Sequence, residues 1–257
     1  MSVLDSIIEG VREDLAKRRR SLGELHEQMS QAAAPLDAHA VLKGNVIKVI
    51  AEVKRSSPSK GELSAIVDPA ALAERYESAG ASVISVLTEE RRFKGSLADL
   101  TAVRSRVSIP ILRKDFMVDE YQFFEARAYG ADMVLLIVAA LAKSQLRDFY
   151  DLATELGMAA LIEVHTADEL ERAMEIEPRI VGVNSRNLKT LDVDQAAFAT
   201  LIPQIPAEII RVAESGISAR RDVEFAQSHG ADAILVGEAL VTSADPTLAM
   251  RTLIGQG

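Results

Sequence analysis

The stretch VIAEVKRSSPSKG, residues 49–61, begins as an apolar strand and ends as a polar, turn-forming loop, with Glu52 and Lys54 set into it. In an extended strand, side chains alternate between two faces. Val49, Ala51 and Val53 therefore share one face, and Ile50, Glu52 and Lys54 the other. A carboxylate beside an ammonium in a partly dry site forms a general acid and base with tunable pKa values, suited to reactions at a carbonyl or an imine. Similar residues recur at other strand ends. Lys114 lies near the end of ILRKDF. Glu163 has parity opposite to Ile162 and Val164 in LIEV. Asn184 follows the outward-facing Val181 and Val183 in VGVNSR, and Glu214 ends RVAES. A lone charge at a strand end is more often a surface group or a structural ion pair. Six polar groups from five strand ends are expected to line one rim.

Two glycine-bearing ends suggest an oxyanion cradle. AESGIS and LVGEAL place Gly216 and Gly237 where backbone amides and a following helix N-terminus can meet a phosphate. The Ser57-Pro58 loop can add a hydroxyl or an amide. The alternative is that these glycines only permit tight turns. The four histidines, His26, His39, His165 and His229, have no metal-ligand spacing, and His165 reads as a loop residue rather than a catalyst. No metal site is expected.

The elements that must position these groups alternate. From residue 47 on, apolar strands recur as VIKVIAEVK, SVISVLT, IPILRKD, DMVLLIV, AALIEV, RIVGVNS, EIIRVAES and DAILVGE. Helical patterns such as DPAALAERYESAG, VDEYQFFEARAYG, KSQLRDFYDLATELG and ARRDVEFAQSHG lie between them. Such alternation implies a parallel sheet. AGASVISVLT, YGADMVLLIV and HGADAILVGE repeat one grammar, in which a helix-ending glycine (Gly80, Gly130, Gly230, and more loosely Gly157) leads into a strand. The intervals lie near multiples of about 25 residues, one unit of an eight-unit barrel. Neither a Gly-x-Gly-x-x-Gly nor a Walker motif is present, so an α/β fold of the (β/α)8 TIM-barrel type is favoured over an open doubly wound sheet. Barrel active sites sit at the C-terminal ends of the strands, so the charges of the opening stretch would leave the core and enter the mouth.

Residues 1–46 differ. VLDSIIEGVREDLAKRRR puts Val3, Leu4, Ile7, Ile8, Val11 and Leu15 on one helical face. The run Arg18–Arg20 reads as a solvated helix end with cations near the C-terminus. QAAAPLDAHAVLKG reads as a linker and a short second helix. The expected division is therefore a helical extension, 1–46, and a catalytic barrel, 47–257.

Composition narrows the partners. The 257 residues carry a formal net charge of −9, which argues against nucleic acid or an anionic membrane surface. Any anionic ligand must be captured by local cations. The absence of cysteine excludes disulfides, thiolate nucleophiles and zinc-thiolate sites and fits a reducing cytoplasm. No apolar run approaches the roughly 20 residues of a membrane span; the longest, MVLLIVAALA, reads as a buried strand running into a loop. Charges at Asp5, Glu9 and Arg12 lead to the expectation of no signal peptide. A cytoplasmic monomer acting on a small molecule is expected.

VIAEVKRSSPSKG, with its Glu-x-Lys-x-x-Ser-Pro core, resembles the signature of the indole-3-glycerol phosphate synthase family. The resemblance continues in order through VLTEERRFKGS, IPILRKDFMVDEYQ, GADMVLLIV, LIEVHT, GVNSRNL and VAESGIS, and the N-terminal helices look like that family's extension. It implies conversion of 1-(2-carboxyphenylamino)-1-deoxyribulose 5-phosphate into indole-3-glycerol phosphate, with loss of CO2 and water and no cofactor. On the matching positions, Lys114 looks like the general acid of ring closure and Glu163 like the base of dehydration. Lys54 is similar to the lysine for the substrate carboxylate and leaving group, and Glu52 would orient the lysines and the anilinic nitrogen. Asn184 and Glu214 would hold sugar hydroxyls, and Arg186 the carboxylate. Phe93, Phe116 and Leu135 look like walls of the aromatic pocket, with Leu235 among the substrate-binding positions. Ser57, Pro58, Ser215, Gly216, Gly237 and Glu238 would surround the phosphate. Serine is familiar in the family at position 238, so Glu238 brings a negative charge that must point away. The extension is expected to cover the site. A phosphoribosylanthranilate isomerase-like barrel would typically require a cysteine, and a catalytically silent barrel would lack one or more of these residues.

Overall fold

The computed structural model describes residues 2–187 and 190–256. Eight parallel strands close into a barrel: β1 (Lys48–Val53), β2 (Val83–Leu87), β3 (Ile111–Lys114), β4 (Met133–Ile137), β5 (Ala159–Val164), β6 (Ile180–Asn184), β7 (Ile210–Glu214) and β8 (Ala233–Val236). β1 pairs with both β2 and β8, which makes the sheet closed rather than open. Each strand is buried along almost its whole length, because one face meets the barrel interior and the other the surrounding helices.

The chain before the barrel forms three helices, α1 (Val3–Arg18), α2 (Leu22–Gln31) and α3 (Ala38–Leu42). Sequence periodicity gives only the first and last. α2 buries Leu25 alone, so it lacks an apolar stripe. It starts because Ser21 and Glu24 form a reciprocal capping box, satisfying two backbone N–H groups that would otherwise lack partners. Around the barrel follow α4 (Pro69–Ser78), α5 (Leu97–Arg104), α6 (Tyr121–Ala128), α7 (Lys143–Glu155), α8 (Ala167–Met174), α9 (Ala196–Leu201), α10 (Arg220–Ser228), and α11 (Glu238–Val241) with α12 (Pro246–Leu253).

The extension runs along the outside of the barrel. α1 sits at the mouth, held by Arg91 to Asp14 at 2.6 Å and by Arg92 to Ser6 at 3.2 Å. Leu25 of α2 packs with Tyr121 and Ala128 of α6. At the opposite end, Leu36 N–H donates to Asp132 at 2.7 Å beside the start of β4.

A buried ion-pair chain ties α1 to the third strand. Arg18 holds Glu125 through two hydrogen bonds of 3.0 Å. Glu125 also accepts from Arg113 at 2.9 Å, and Arg113 reaches Asp115 at 3.0 Å. Arg113 is fully buried on the outward face of β3, next to Lys114 on the inward face. Burial pushes the Glu125 carboxyl up, but the two guanidinium groups outweigh it and hold the group below the usual range. Removing one member of such a chain typically costs about 3–5 kcal/mol, because the remaining charge is buried unpaired.

Candidate active site

Strand register decides which side chains meet. Glu52 lies beside Ser85, Leu87 beside Lys114, Ile137 beside Glu163, Glu163 beside Gly182, and Asn184 beside Glu214. All six polar residues read from the strand ends meet at the mouth of the barrel. They line one cleft of about 1060 Å³, its open mouth included. Ser57, Pro58, Phe93, Phe116, Leu135, Arg186, Ser215, Gly216, Leu235, Gly237 and Glu238 line the same cleft, so every site position named from sequence is in one place.

Lys114 Nζ stands 3.4 Å from Glu163 Oε2 and 3.7 Å from Glu214 Oε2. Desolvation favours loss of its proton, but Glu163, Glu214 and Glu52 outweigh that and hold it as an ammonium well above the ordinary lysine range. Lys54 Nζ pairs with Glu52 Oε1 at 2.8 Å. Burial pushes Glu52 up, yet Lys54 and Lys114 bring it below the usual carboxylate range. Glu163 behaves likewise: burial raises it, and Lys114 followed by His165 pulls it well down. Glu214 goes the other way. Burial comes first and the Glu163 charge second, so its carboxyl is raised. Among the described residues, neither oxygen of Glu214 has a hydrogen-bond partner of good geometry. The floor thus holds a protonated lysine, an ionised carboxylate in contact with it, and a third carboxyl inclined to keep its proton. That set can donate and accept protons at adjacent points.

Two glycines make the crowding possible. A Cβ on Gly182 would lie 2.0 Å from Glu214 Oε1, so only glycine lets Glu214 lean across β6. A Cβ on Gly237 would lie 2.5 Å from Glu52 Oε1. Gly237, expected beside a phosphate, therefore also makes room for the Glu52 carboxylate. Gly182 was missed from sequence, although a glycine inside a strand pattern signals such a close approach.

Loops build the walls. Asn184 Oδ1 accepts from Arg186 N–H at 2.9 Å. The Arg186 guanidinium donates to Ser59 Oγ at 3.1 Å and to the Leu191 carbonyl at 3.0 Å, which joins the loops after β6 and β1. Phe93 and Phe116 face each other with ring centroids 6.1 Å apart. Ser215 and Gly216 both adopt left-handed backbone, at φ 67° and 72°. The Glu238 carboxylate pairs with Lys60 of the loop after β1, so its extra charge is met by a cation.

Sequence reasoning missed two groups. Val3, Leu4 and Ile7 of α1 line the cleft, giving the expected cover particular residues. His165, read as a loop histidine, directly follows the last residue of β5, with its imidazole 3.3 Å from Glu163. The alternation LIEVH carried the signal, since a residue just beyond a strand end can still fold back onto the rim.

The α1 contacts set an expectation. Deleting residues 1–30 should raise KM for the substrate, but it also strips Arg18 from buried Glu125. The double variant Leu4→Ala, Ile7→Ala isolates the wall. Each truncation removes about 2 kcal/mol of burial at most, so KM should rise roughly 10-fold if about 1.4 kcal/mol of it faces the ligand. An unaltered KM in steady-state kinetics would remove α1 from the site.

No helix among the described residues is long and apolar enough to cross a membrane. Comparison with known proteins agrees with the geometry. A 3-hexulose-6-phosphate synthase structure superposes with TM-score 0.65 at 17% identity, covering 82% of this chain and 99% of that one, which bears on the fold alone. Indole-3-glycerol phosphate synthase 1 of Streptomyces coelicolor is 57% identical over 259 residues, covering 100% of this chain and 96% of its own. The indole-3-glycerol phosphate synthase of an Arthrobacter species is 58% identical over 253 residues, covering 96% and 93%. The family model described as indole-3-glycerol phosphate synthase matches residues 4–253. With full-length relatives above half identity and a family match across both the extension and the barrel, the chain belongs to the indole-3-glycerol phosphate synthase family.

Proposed function

We propose that this mouth closes the indole ring of 1-(2-carboxyphenylamino)-1-deoxyribulose 5-phosphate, with the residues above in defined roles. The supporting observation is Lys114, held as an ammonium between Glu163 and Glu214 on the cleft floor. In this reading Lys114 donates its proton to the ribulose carbonyl oxygen while the aromatic carbon attacks the carbonyl carbon. The carboxylate then leaves as CO2, and the ring regains aromaticity. In the dehydration Glu163 takes a proton from the ring carbon beside the nitrogen while Lys54 gives one to the hydroxyl, which leaves as water and yields indole-3-glycerol phosphate. No cofactor enters, since the anilinic nitrogen supplies the electron density.

Lys54 and Arg186 bring positive charge to the substrate carboxylate, and Glu52 orients Lys54. Asn184 and Glu214 hold sugar hydroxyls; a Glu214 that keeps its proton can donate as well as accept. Phe93, Phe116, Leu135 and Leu235 bound the aromatic ring. The loops at Ser57–Pro58, Ser215–Gly216 and Gly237–Glu238 take the phosphate. Preorganised groups aimed at developing charge usually supply the largest catalytic term. The division into an extension, 1–46, and a catalytic barrel, 47–257, belongs to the same proposal, as do a monomeric state and a cytoplasmic setting. The direct test is incubation of the protein with the synthetic substrate. Indole fluorescence should rise with stoichiometric CO2 release, and the appearance of neither would overturn the reading.

A further inference from the structure

His165 belongs to none of the roles above, yet its largely buried imidazole stands behind the cleft floor against Glu163. Its imidazole lies between two carboxylates. Nδ1 hydrogen-bonds Glu169 Oε2 at 3.0 Å, and Nε2 stands 3.3 Å from Glu163 Oε1, an ion-pair contact without hydrogen-bond geometry. The same Glu169 oxygen accepts the His165 backbone N–H at 2.7 Å. Glu169 is fixed in turn, because its own N–H donates to the side chain of Thr166, which caps α8. A neutral imidazole brings no charge to Glu163, whereas an imidazolium held by Glu169 sets a cation 3.3 Å from its carboxylate.

We propose that His165 is a positioning residue for Glu163: an imidazolium anchored on Glu169 that keeps Glu163 ionised and leaves its Oε2 facing Lys114 and the cleft.

The charge balance of the floor explains the need. Glu163 is faced by Glu52 from β1, Lys114 from β3, Asn184 from β6 and Glu214 from β7. Three carboxyls thus compete for one lysine, while Lys54 is engaged with Glu52. Lys114 does most to hold Glu163 ionised, and a second cation adds to that hold. His165 supplies one from behind, engaging Oε1 and not the oxygen that contacts Lys114. His165 is faced by Glu163 and Glu169, and it borders a polar crevice whose lining includes Asp192 and Asp194, so its surroundings are acidic. Burial alone would lower it, but the two glutamates raise it to about 10, which keeps it charged across neutral pH.

The inference rests on Glu163 acting as the base, and the experiment separates the two. In the unaltered protein labelled with 15N-histidine, both ring nitrogens of His165 should read as protonated at about pH 8; a neutral imidazole there would overturn the proposal. In His165→Gln the acidic limb of kcat/KM should move up by about one pH unit, the effect of losing one opposite charge at this range. Activity on the acidic limb itself should then fall about 10-fold, with little change at neutral pH, well above the limb. His165→Lys should return the limb toward its original position. An unmoved limb in His165→Gln would also overturn the proposal. If instead Glu163→Gln kept full turnover, the base assignment would fail while the histidine spectrum still reported on the clamp itself.

Discussion

Lys114→Ala is expected to lower kcat by about 10³-fold or more, the upper part of the range for losing a positioned general acid. No neighbour can substitute. Lys54 is bound to Glu52, Glu163 is ionised, and Glu214 is assigned to the sugar hydroxyls rather than to the carbonyl oxygen. The fold should survive, because Glu214 can take up a proton and His165 still faces Glu163 once the shared cation is gone. Its stability should change with pH in a defined direction. Buried carboxyls without a cation have folded-state pKa values above their unfolded ones, so their contribution is present at acidic pH and is lost as pH rises through the raised value. Melting curves of Lys114→Ala should therefore fall from about pH 5 to about pH 8 relative to the parent. Turnover within 10-fold of the parent, followed by indole fluorescence, would remove Lys114 from the role of acid.

Glu163→Gln is expected to slow the overall reaction by roughly 10²- to 10³-fold and to do so late in the sequence. Glutamine keeps the shape and the contact with Lys114 but cannot take a proton. Ring closure, which depends on Lys114, should still run. A rapid-quench experiment should show about one equivalent of CO2 per site released ahead of any indole fluorescence, the signature of a cyclised species waiting to lose water. CO2 and fluorescence appearing together at the parent rate would exclude Glu163 from the dehydration. In the parent, Glu163 lies below the usual carboxylate range. Its ion pairs therefore contribute stability above the unfolded pKa, and that contribution is lost as pH falls through the depressed value.

Much of the site was legible before any coordinates. Glu52, Lys54, Lys114, Glu163, Asn184 and Glu214 stood out because a strand's two-residue period separates core-facing from outward positions without reference to the rest of the chain. Polar residues on the inward parity at a strand end are costly unless the end is open to a site. The helix α2 was not legible by that route, since Ser21 and Glu24 act through backbone capping and leave no apolar stripe. The roles of Gly182 and His165 were hidden for another reason. Both depend on partners elsewhere in the chain: Gly182 on a carboxylate from β7, and His165 on one from α8.

The sequence by itself determined the eight-fold alternation, the parity of each strand and the chemical types at each strand end, because these are local and periodic. Tertiary structure alone decided which of those types touch. Register and closure bring Lys114 to Glu163 and Glu214 rather than to Glu52's near side, where Lys54 already sits. They also decided the charge states, since a carboxyl's proton affinity is set by burial and by neighbours a few ångströms away. Three glutamates of identical chemistry in the sequence thus become two held ionised and one inclined to keep its proton.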